Sequence, residues 1–310
     1  MNKTINVKKL RYWGSAQQKH DAAAYAMLSP QIIGFFVFTL YPILWAVSKA
    51  FYRYTGVPSE TKFVGLDNFV NIFTRDERYW KAVLNTFIFA VFKLPFEIPL
   101  ALVLAVMLTK KLKGSGFFRG MYFLPNILSM AVIGIMFSGM FSHFGIVNAF
   151  LTRLGLISEN ISWFSQKSTA MVVIIFAAVW NTFGINVLYF ISALSNVSEE
   201  IYESAELDGA GAVKKFFYIT IPMIRPVLTV IIMLAINGTL STSEFILMLT
   251  NGGPGGSTEV VMTYLLKNIV PGFMPSGANI GYGSAMAVVT SVILAATSLM
   301  YLRLSRNNEA

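Results

Sequence analysis

Two groups of residues in this chain of 310 have the types and spacing to do chemistry. The first is an acidic run, Glu199, Glu200, Glu203, Glu206 and Asp208, which places five of the chain's 15 acidic residues within ten positions. Ser198 precedes it as a helix N-cap, and Glu199 and Glu200 suit the positive end of a helix dipole. Glu199, Glu203 and Glu206 share one helical face. At Gly209 a residue without a Cβ permits a sharp turn. Val213, Phe216 and Phe217 then form the apolar side of a second short helix, which Pro222 ends before the next apolar run. A helix–turn–helix finger that is acidic on one side and aromatic on the other suits docking into a groove on another protein. Against the anionic surface of a membrane its acids would be repelled.

The second group is a polar set inside otherwise apolar sequence: Trp180, Asn181, Thr182, Asn186 and Tyr189, then Asn237, Thr239, Ser241 and Thr242. Hydrogen-bonding side chains with aromatic neighbours can hold a polar solute in an internal cavity. The same side chains can instead bond neighbouring helices, at about 0.6 kcal/mol each. Lys93 and Glu97 raise a similar choice. They lie four apart on one helical face and can pair, since each alone would cost about 2.5–3.5 kcal/mol at the centre of a membrane helix. Pro95 between them favours a kink. The chain has no cysteine and two histidines, which excludes disulfide scaffolds, thiolate metal sites and cysteine nucleophiles. No G-x-x-x-x-G-K-[ST] phosphate loop is present. The Gly252–Gly256 run lacks the lysine such a loop needs.

The elements that must position these residues follow from composition. Hydrophobic residues make up 55% of the chain, charged residues 13%, and the mean hydropathy is +0.62. That leaves too little polar surface to coat a water-soluble globule. Residues 28–48, 120–152, 168–198, 226–243 and 268–302 contain no Asp, Glu, Lys or Arg. A helix of about 20 apolar residues spans a bilayer. The sequence therefore predicts an all-α integral membrane protein with six transmembrane helices near 27–51, 84–108, 118–141, 169–194, 224–249 and 281–303. The six-helix domain covers 27–304, between a cytoplasmic N-terminal segment, 1–26, and a short tail, 305–310. The N-terminus does not read as a cleavable signal peptide, because its small residues precede the apolar run. The net charge of +9 has a bilayer, not nucleic acid, as its partner. With both ends on one side, that side carries 14 Lys and Arg and the other 8, with Lys49 and Lys93 inside spans. The positive-inside rule then puts both termini in the cytoplasm. Residues 199–222 form a cytoplasmic loop between the fourth and fifth spans.

Glu203-Ser204-Ala205, Gly209, Ile219 and Ile221-Pro222 resemble the "EAA" loop of type I ABC importer permeases. In that pattern E-A-A is followed by G, nine residues and I-x-L-P, and residues 210–218 supply the nine here. Ser204 replaces an alanine and Ile221 a leucine, both conservative in size. Asp208-Gly209-Ala210, Thr250-Asn251-Gly252-Gly253-Pro254, Phe63-Val64-Gly65-Leu66-Asp67-Asn68-Phe69, Leu84-Asn85-Thr86 and Phe118-Arg119-Gly120-Met121-Tyr122-Phe123-Leu124-Pro125 are similar to the carbohydrate-uptake, maltose permease-like branch. The resemblance implies a multi-pass subunit of the bacterial cytoplasmic membrane. It pairs with a second homologous permease, two ABC ATPase subunits and an extracytoplasmic solute-binding protein. It also implies that Glu203, Ser204, Ala205, Asp208, Gly209, Phe217, Ile219 and Pro222 belong to the ATPase-coupling loop. Asn181, Thr182 and Thr239 match positions where a related permease contacts sugar, within a pathway set that also includes Asn186, Tyr189, Asn237 and Ser241. ATP and Mg belong to the partner ATPase, so the chain is expected to be no enzyme and to hold no cofactor.

Three functions fit. The first is the permease of an ATP-driven sugar or oligosaccharide importer working by alternating access. The second is the same architecture carrying a glycerol phosphate-type solute. The absence of Arg and Lys from the cores of spans four and five leans towards a neutral solute. The third, a secondary transporter, would leave the finger unexplained.

Overall fold

Inside a bilayer no water is available to backbone groups, so an apolar run must satisfy its own N–H and C=O groups as a helix. The computed structural model describes residues 24–109, 115–242, 244–273 and 277–307. Most of the expected N-terminal segment, the basic residues Lys110, Lys111 and Lys113, and the end of the tail lie outside the described residues. In chain order, α1 (Ala24–Lys49) leads into a two-stranded antiparallel hairpin, β1 (Tyr52–Arg53) and β2 (Lys62–Phe63). Then come α2 (Asp67–Thr74), the long α3 (Glu77–Thr109), α4 (Ser115–Ile127), α5 (Met130–Met140) and α6 (Ile146–Arg153). The second half has α7 (Lys167–Leu194), α8 (Glu199–Leu207), α9 (Ala212–Leu240), α10 (Glu244–Thr250), α11 (Val261–Ile269) and α12 (Ile280–Asn307).

Among the described residues five helices, α1, α3, α7, α9 and α12, are long and apolar enough to cross a bilayer. The pair α4 and α5 completes six when counted as one broken span, bent by 95°. The expected third span is thus two helices. Pro125 sits near the end of α4, and Ser129 caps α5 by accepting from the Val132 N–H at 3.3 Å. The fifth span also departs from its expected bounds of 224–249. Its helix begins upstream at Ala212, stops at Leu240, and is followed by the separate α10. The helix stops in Thr239-Leu240-Ser241-Thr242, where hydroxyls compete for backbone partners. Thr242 donates to the Gly238 carbonyl at 3.0 Å.

Pro222 does not end the second arm of the finger. It lies in the first turn of the regular stretch beginning at Ile221, which continues the helix from Ala212. A proline lacks the N–H that would reach back four residues, and its ring crowds that carbonyl. Widening the preceding turn to a π-helix, Phe216–Thr220, accommodates it, and the Ile221 N–H bonds the Phe216 carbonyl. The same device precedes Pro42 in α1, where residues 36–40 are π-helical and the Tyr41 N–H bonds the Phe36 carbonyl.

Three apolar clusters stack along the bundle. One joins Phe89 of α3, Ile133 and Phe137 of α5, Ile174 and Ala177 of α7, and Phe245 and Ile246 of α10. Another packs Ala101 and Ala105 of α3 against Val187 and Phe190 of α7 and Ile224 and Ile231 of α9. The third gathers Ile72, Tyr79, Val261, Tyr264 and Met286 around the segments between spans. There Asp76 accepts from the hydroxyls of Tyr264 at 3.1 Å and Tyr282 at 2.6 Å. Burial, and then the Asp76 carboxylate, hold the Tyr264 phenol above the ordinary tyrosine range. Asn85 holds the loop after α10, donating to the carbonyls of Ser257 at 3.0 Å and Glu259 at 2.9 Å. Glu259, itself buried, is clasped by Lys267 at 2.8 Å and Arg78 at 3.4 Å. At the contact of α4 with α7, a Cβ on Gly184 would stand 1.9 Å from the Tyr122 carbonyl oxygen. Only glycine lets the two helices approach this closely.

Candidate functional site

The expected pathway residues fall on α7 and at the end of α9, whose faces meet α3 between the first and second of these clusters. Thr182 and Asn186 are one turn apart on α7, matching the one-turn spacing of Lys93 and Glu97 on α3. Lys93 Nζ lies 2.7 Å from Glu97 Oε2, with both side chains nearly sealed from solvent. The Thr182 hydroxyl donates to Glu97 Oε1 at 2.5 Å and the Asn186 amide at 2.8 Å. From α9, Thr239 Oγ1 accepts from Lys93 Nζ at 3.0 Å. Glu97 Oε2 has no aligned hydrogen-bond donor, so only the charge of Lys93 balances it. An ion pair removed from water survives when its remaining lone pairs and protons find partners. Here α7 and α9 supply them.

This network forms one wall of a cavity of ≈ 380 Å³. Asn181, Thr182, Asn186, Tyr189 and Thr239 all line it, together with Met130, Gly238, Thr242 and Phe245. The volume suits a small polar solute or one unit of a longer one. Two expected members lie elsewhere. Asn237 points towards α12, accepting from Ser298 Oγ at 2.9 Å and donating to the Met233 carbonyl at 3.0 Å. Ser241 is exposed at the end of α9. Asn181, although in the wall, donates to the Pro125 carbonyl at 2.8 Å and so ties the end of α4 to α7. The sequence suggests structural pairing for Lys93 and Glu97. The pair does form, but inside the cavity wall. The signal was the match of two one-turn polar spacings on different spans. It also brings a lysine from the second span into a cavity whose charge the sequence read from spans four and five alone.

The second candidate site is the finger. Ser198 caps α8 by accepting from the Glu200 N–H at 3.3 Å. The helix ends in a Schellman turn, with the Ala210 N–H bonding the Ala205 carbonyl at 2.9 Å and the Gly209 N–H bonding that of Glu206 at 3.0 Å. Gly209 has φ +76°, the left-handed conformation this turn needs. Glu203, Ser204, Asp208, Gly209, Phe217 and Pro222 are exposed, while Ala205 and Ile219 are half-buried. Lys215 pairs with Glu206 across the turn, and Tyr202 Oη lies 3.1 Å from Thr220 Oγ1, clamping the two arms. The aromatic side is divided. Phe216 packs inward against the cluster of α3, α7 and α9, whereas Val213 and Phe217 face outward.

A clamped acidic helix and a left-handed glycine turn are thus joined, by one helix from Ala212 to Leu240, to a polar cavity among the apolar helices. Residues 97–309 match the family described as the binding-protein-dependent transport system inner membrane component. The chain belongs to this family. The permease is 35% identical to the lactose transport system permease protein LacF of Rhizobium radiobacter, over 95% of this chain and 98% of that protein. It is 32% identical to the arabinooligosaccharides transport system permease protein AraP of Bacillus subtilis, over 94% and 91% of the two chains. Its fold superposes with a TM-score of 0.80 on a chain of a bacterial ABC transporter that imports the acidic polysaccharide alginate. That chain is 25% identical, with 96% of the permease and 99% of the other chain covered. The permease is accordingly a multi-pass protein of the cytoplasmic membrane, of the type I carbohydrate-uptake class.

Proposed function

We propose that the permease forms, with a second homologous permease, the pathway for ATP-driven uptake of a sugar or oligosaccharide delivered by an extracytoplasmic binding protein. The observation that carries this reading is the joining of finger and cavity by one helix. From Ala212 to Leu240, α9 is continuous and about 40 Å long, and it carries Thr239 in the cavity wall near its far end. Two ATPase subunits, holding ATP and Mg, grip the finger and its counterpart on the second permease. Their closure displaces the finger, and Phe216, packed against α3 and α7, passes the displacement to the bundle. The cavity then changes from inward-facing to outward-facing as a rigid-body switch between two packed states. Hydroxyl and amide groups in the wall offer a neutral, hydroxyl-rich solute the donors and acceptors it loses on leaving water.

In reconstituted vesicles containing the complete complex, Asn186→Ala and Thr239→Ala each lower ATP-dependent saccharide uptake about fivefold, the effect of roughly one lost hydrogen bond. The complex still assembles, and stimulated ATP hydrolysis falls less than uptake. Undiminished uptake in the double variant would move the solute's polar contacts to the second permease. Orientation has its own test. A cysteine at Thr55, in the exposed loop before β2, reacts with an impermeant thiol reagent in intact cells. One at Ser195, at the end of α7, reacts only after permeabilisation, and the cysteine-free native chain gives no background. The reverse pattern would invert the assigned topology.

A further inference from the structure

The cavity wall has a property that polar composition alone does not predict. Among the described residues lining it, Lys93 and Glu97 are the only charged side chains, and they face each other at 2.7 Å. Every other lining side chain is apolar, an amide or a hydroxyl. Seen from the cavity the two charges form a short dipole, whose field falls off much faster than that of a single ion. The wall therefore offers no uncompensated cation to a carboxylate or phosphate and no uncompensated anion to an ammonium group. The arrangement is also fixed. Thr182 and Asn186 hold Oε1, Thr239 holds Nζ, and the side chains are 4% and 1% exposed, so the lysine cannot swing away to meet an anionic solute.

We propose that the Lys93–Glu97 pair sets the charge selectivity of the permease, keeping its wall of the pathway electroneutral so that uncharged saccharides are accepted and uronate-bearing ones rejected. This rests on the sugar-uptake reading above. It distinguishes the permease from its structural neighbour, whose imported polysaccharide is acidic. Glu97 is a specificity residue acting through charge. Its carboxylate cancels Lys93 and need not touch the solute.

The test uses the membrane complex of both permeases and the ATPases, purified without binding protein so that only the transmembrane site selects. It is equilibrated with equal concentrations of galactotriose and trigalacturonate, which differ in the carboxylates, and the retained sugars are quantified by mass spectrometry. The wild-type complex retains galactotriose in preference. Glu97→Gln leaves the Lys93 ammonium uncompensated and shifts the retained ratio at least about tenfold towards trigalacturonate. Lys93→Met combined with Glu97→Gln restores electroneutrality and returns the preference to galactotriose. Because this double variant leaves no lone charge in the membrane, it keeps the test open should Glu97→Gln fail to assemble. A wild-type preference for trigalacturonate, an unchanged ratio in Glu97→Gln, or a double variant that favours trigalacturonate would each overturn the assignment. Retention of neither sugar by the wild type would overturn it as well. Uptake by the complete complex with its binding protein separates the two levels. If vesicles import saccharide while the ratio stays fixed, the charge assignment alone fails, and if they import none, the sugar-uptake reading fails with it.

Discussion

Gly209→Val abolishes most coupled uptake while the spans remain inserted, and Gly209→Asn retains it. At φ +76° a β-branched residue is forced into the left-handed region, which costs about 1–2 kcal/mol for an L-residue. No atom stands within 4 Å of a Cβ built there, so the strain lies in the backbone alone. Relief comes from unwinding the Schellman turn, which frees the Ala205 and Glu206 carbonyls and turns α8 away from the arm that begins at Ala212. Asparagine tolerates the left-handed conformation and keeps the turn. A loss of this size corresponds to roughly a 5- to 30-fold fall in ATPase docking. It is measured by copurification of the ATPase and by hydrolysis stimulated by the binding protein. Glu203→Ala, at an exposed position, leaves stability within about 0.5 kcal/mol. On the proposed docking of the finger in an ATPase cleft, where the carboxylate would accept charge-assisted hydrogen bonds, it lowers stimulated hydrolysis and uptake together. Equal behaviour of the valine and asparagine variants would show that the turn conformation does not matter. Normal docking and hydrolysis in the Glu203→Ala, Gly209→Val double variant would remove the finger from the coupling mechanism.

Gly184→Ala destabilises the assembled complex far more than its one added methyl suggests. The new Cβ would lie 1.9 Å from the Tyr122 carbonyl oxygen and 2.8 Å from its carbon, both backbone atoms with no rotamer to escape into. Helix α4 must move off α7, and the Asn181 bond to the Pro125 carbonyl, one turn away, stretches with it. Overpacking of this kind costs about 1–3 kcal/mol. Leucine at the same position, with more volume and no more room, prevents assembly. The matching control is Gly139→Ala, on an exposed face of α5 with no atom within 4 Å of its Cβ, which stays within about 0.5 kcal/mol of wild type. Thermal unfolding of the purified complex, followed by size exclusion in detergent, ranks the three variants. A Gly184→Ala complex as stable as the Gly139→Ala control would mean that α4 and α7 do not approach this closely.

Much of this molecule was legible because the bilayer leaves a chain few options. Runs without charge and long enough to span must be helices, and the six expected spans correspond to five long helices and one bent pair. The finger was legible for a different reason. Its cap, its acidic face and its glycine are local signals, each acting within a few residues, and the observed turn follows the order in which they occur. What local signals could not convey was how the second arm ends. Proline is a helix breaker by local rules, yet the turn before Pro222 widens instead and the helix runs on into the membrane. The expected upper end of the fifth span failed similarly. Hydropathy continues through Ser241, but the hydroxyl-rich segment stops the helix at Leu240 and α10 packs separately against α5.

The sequence by itself determined the fold class, the helix–turn–helix finger and the inventory of polar side chains within the spans, since each depends on composition or on neighbours a turn away. The tertiary structure alone decided which of those side chains act together. Asn237 and Thr239 lie two residues apart, but the helix turns about 100° per residue, so Asn237 faces α12 and Thr239 faces the cavity. Lys93 and Glu97 could pair on an isolated helix. That their charges are locked by Thr182, Asn186 and Thr239, and line the same space as Tyr189, depends on three helices meeting at one depth. That meeting depends on Gly184 and the apolar clusters above and below it, whose packing no single segment contains.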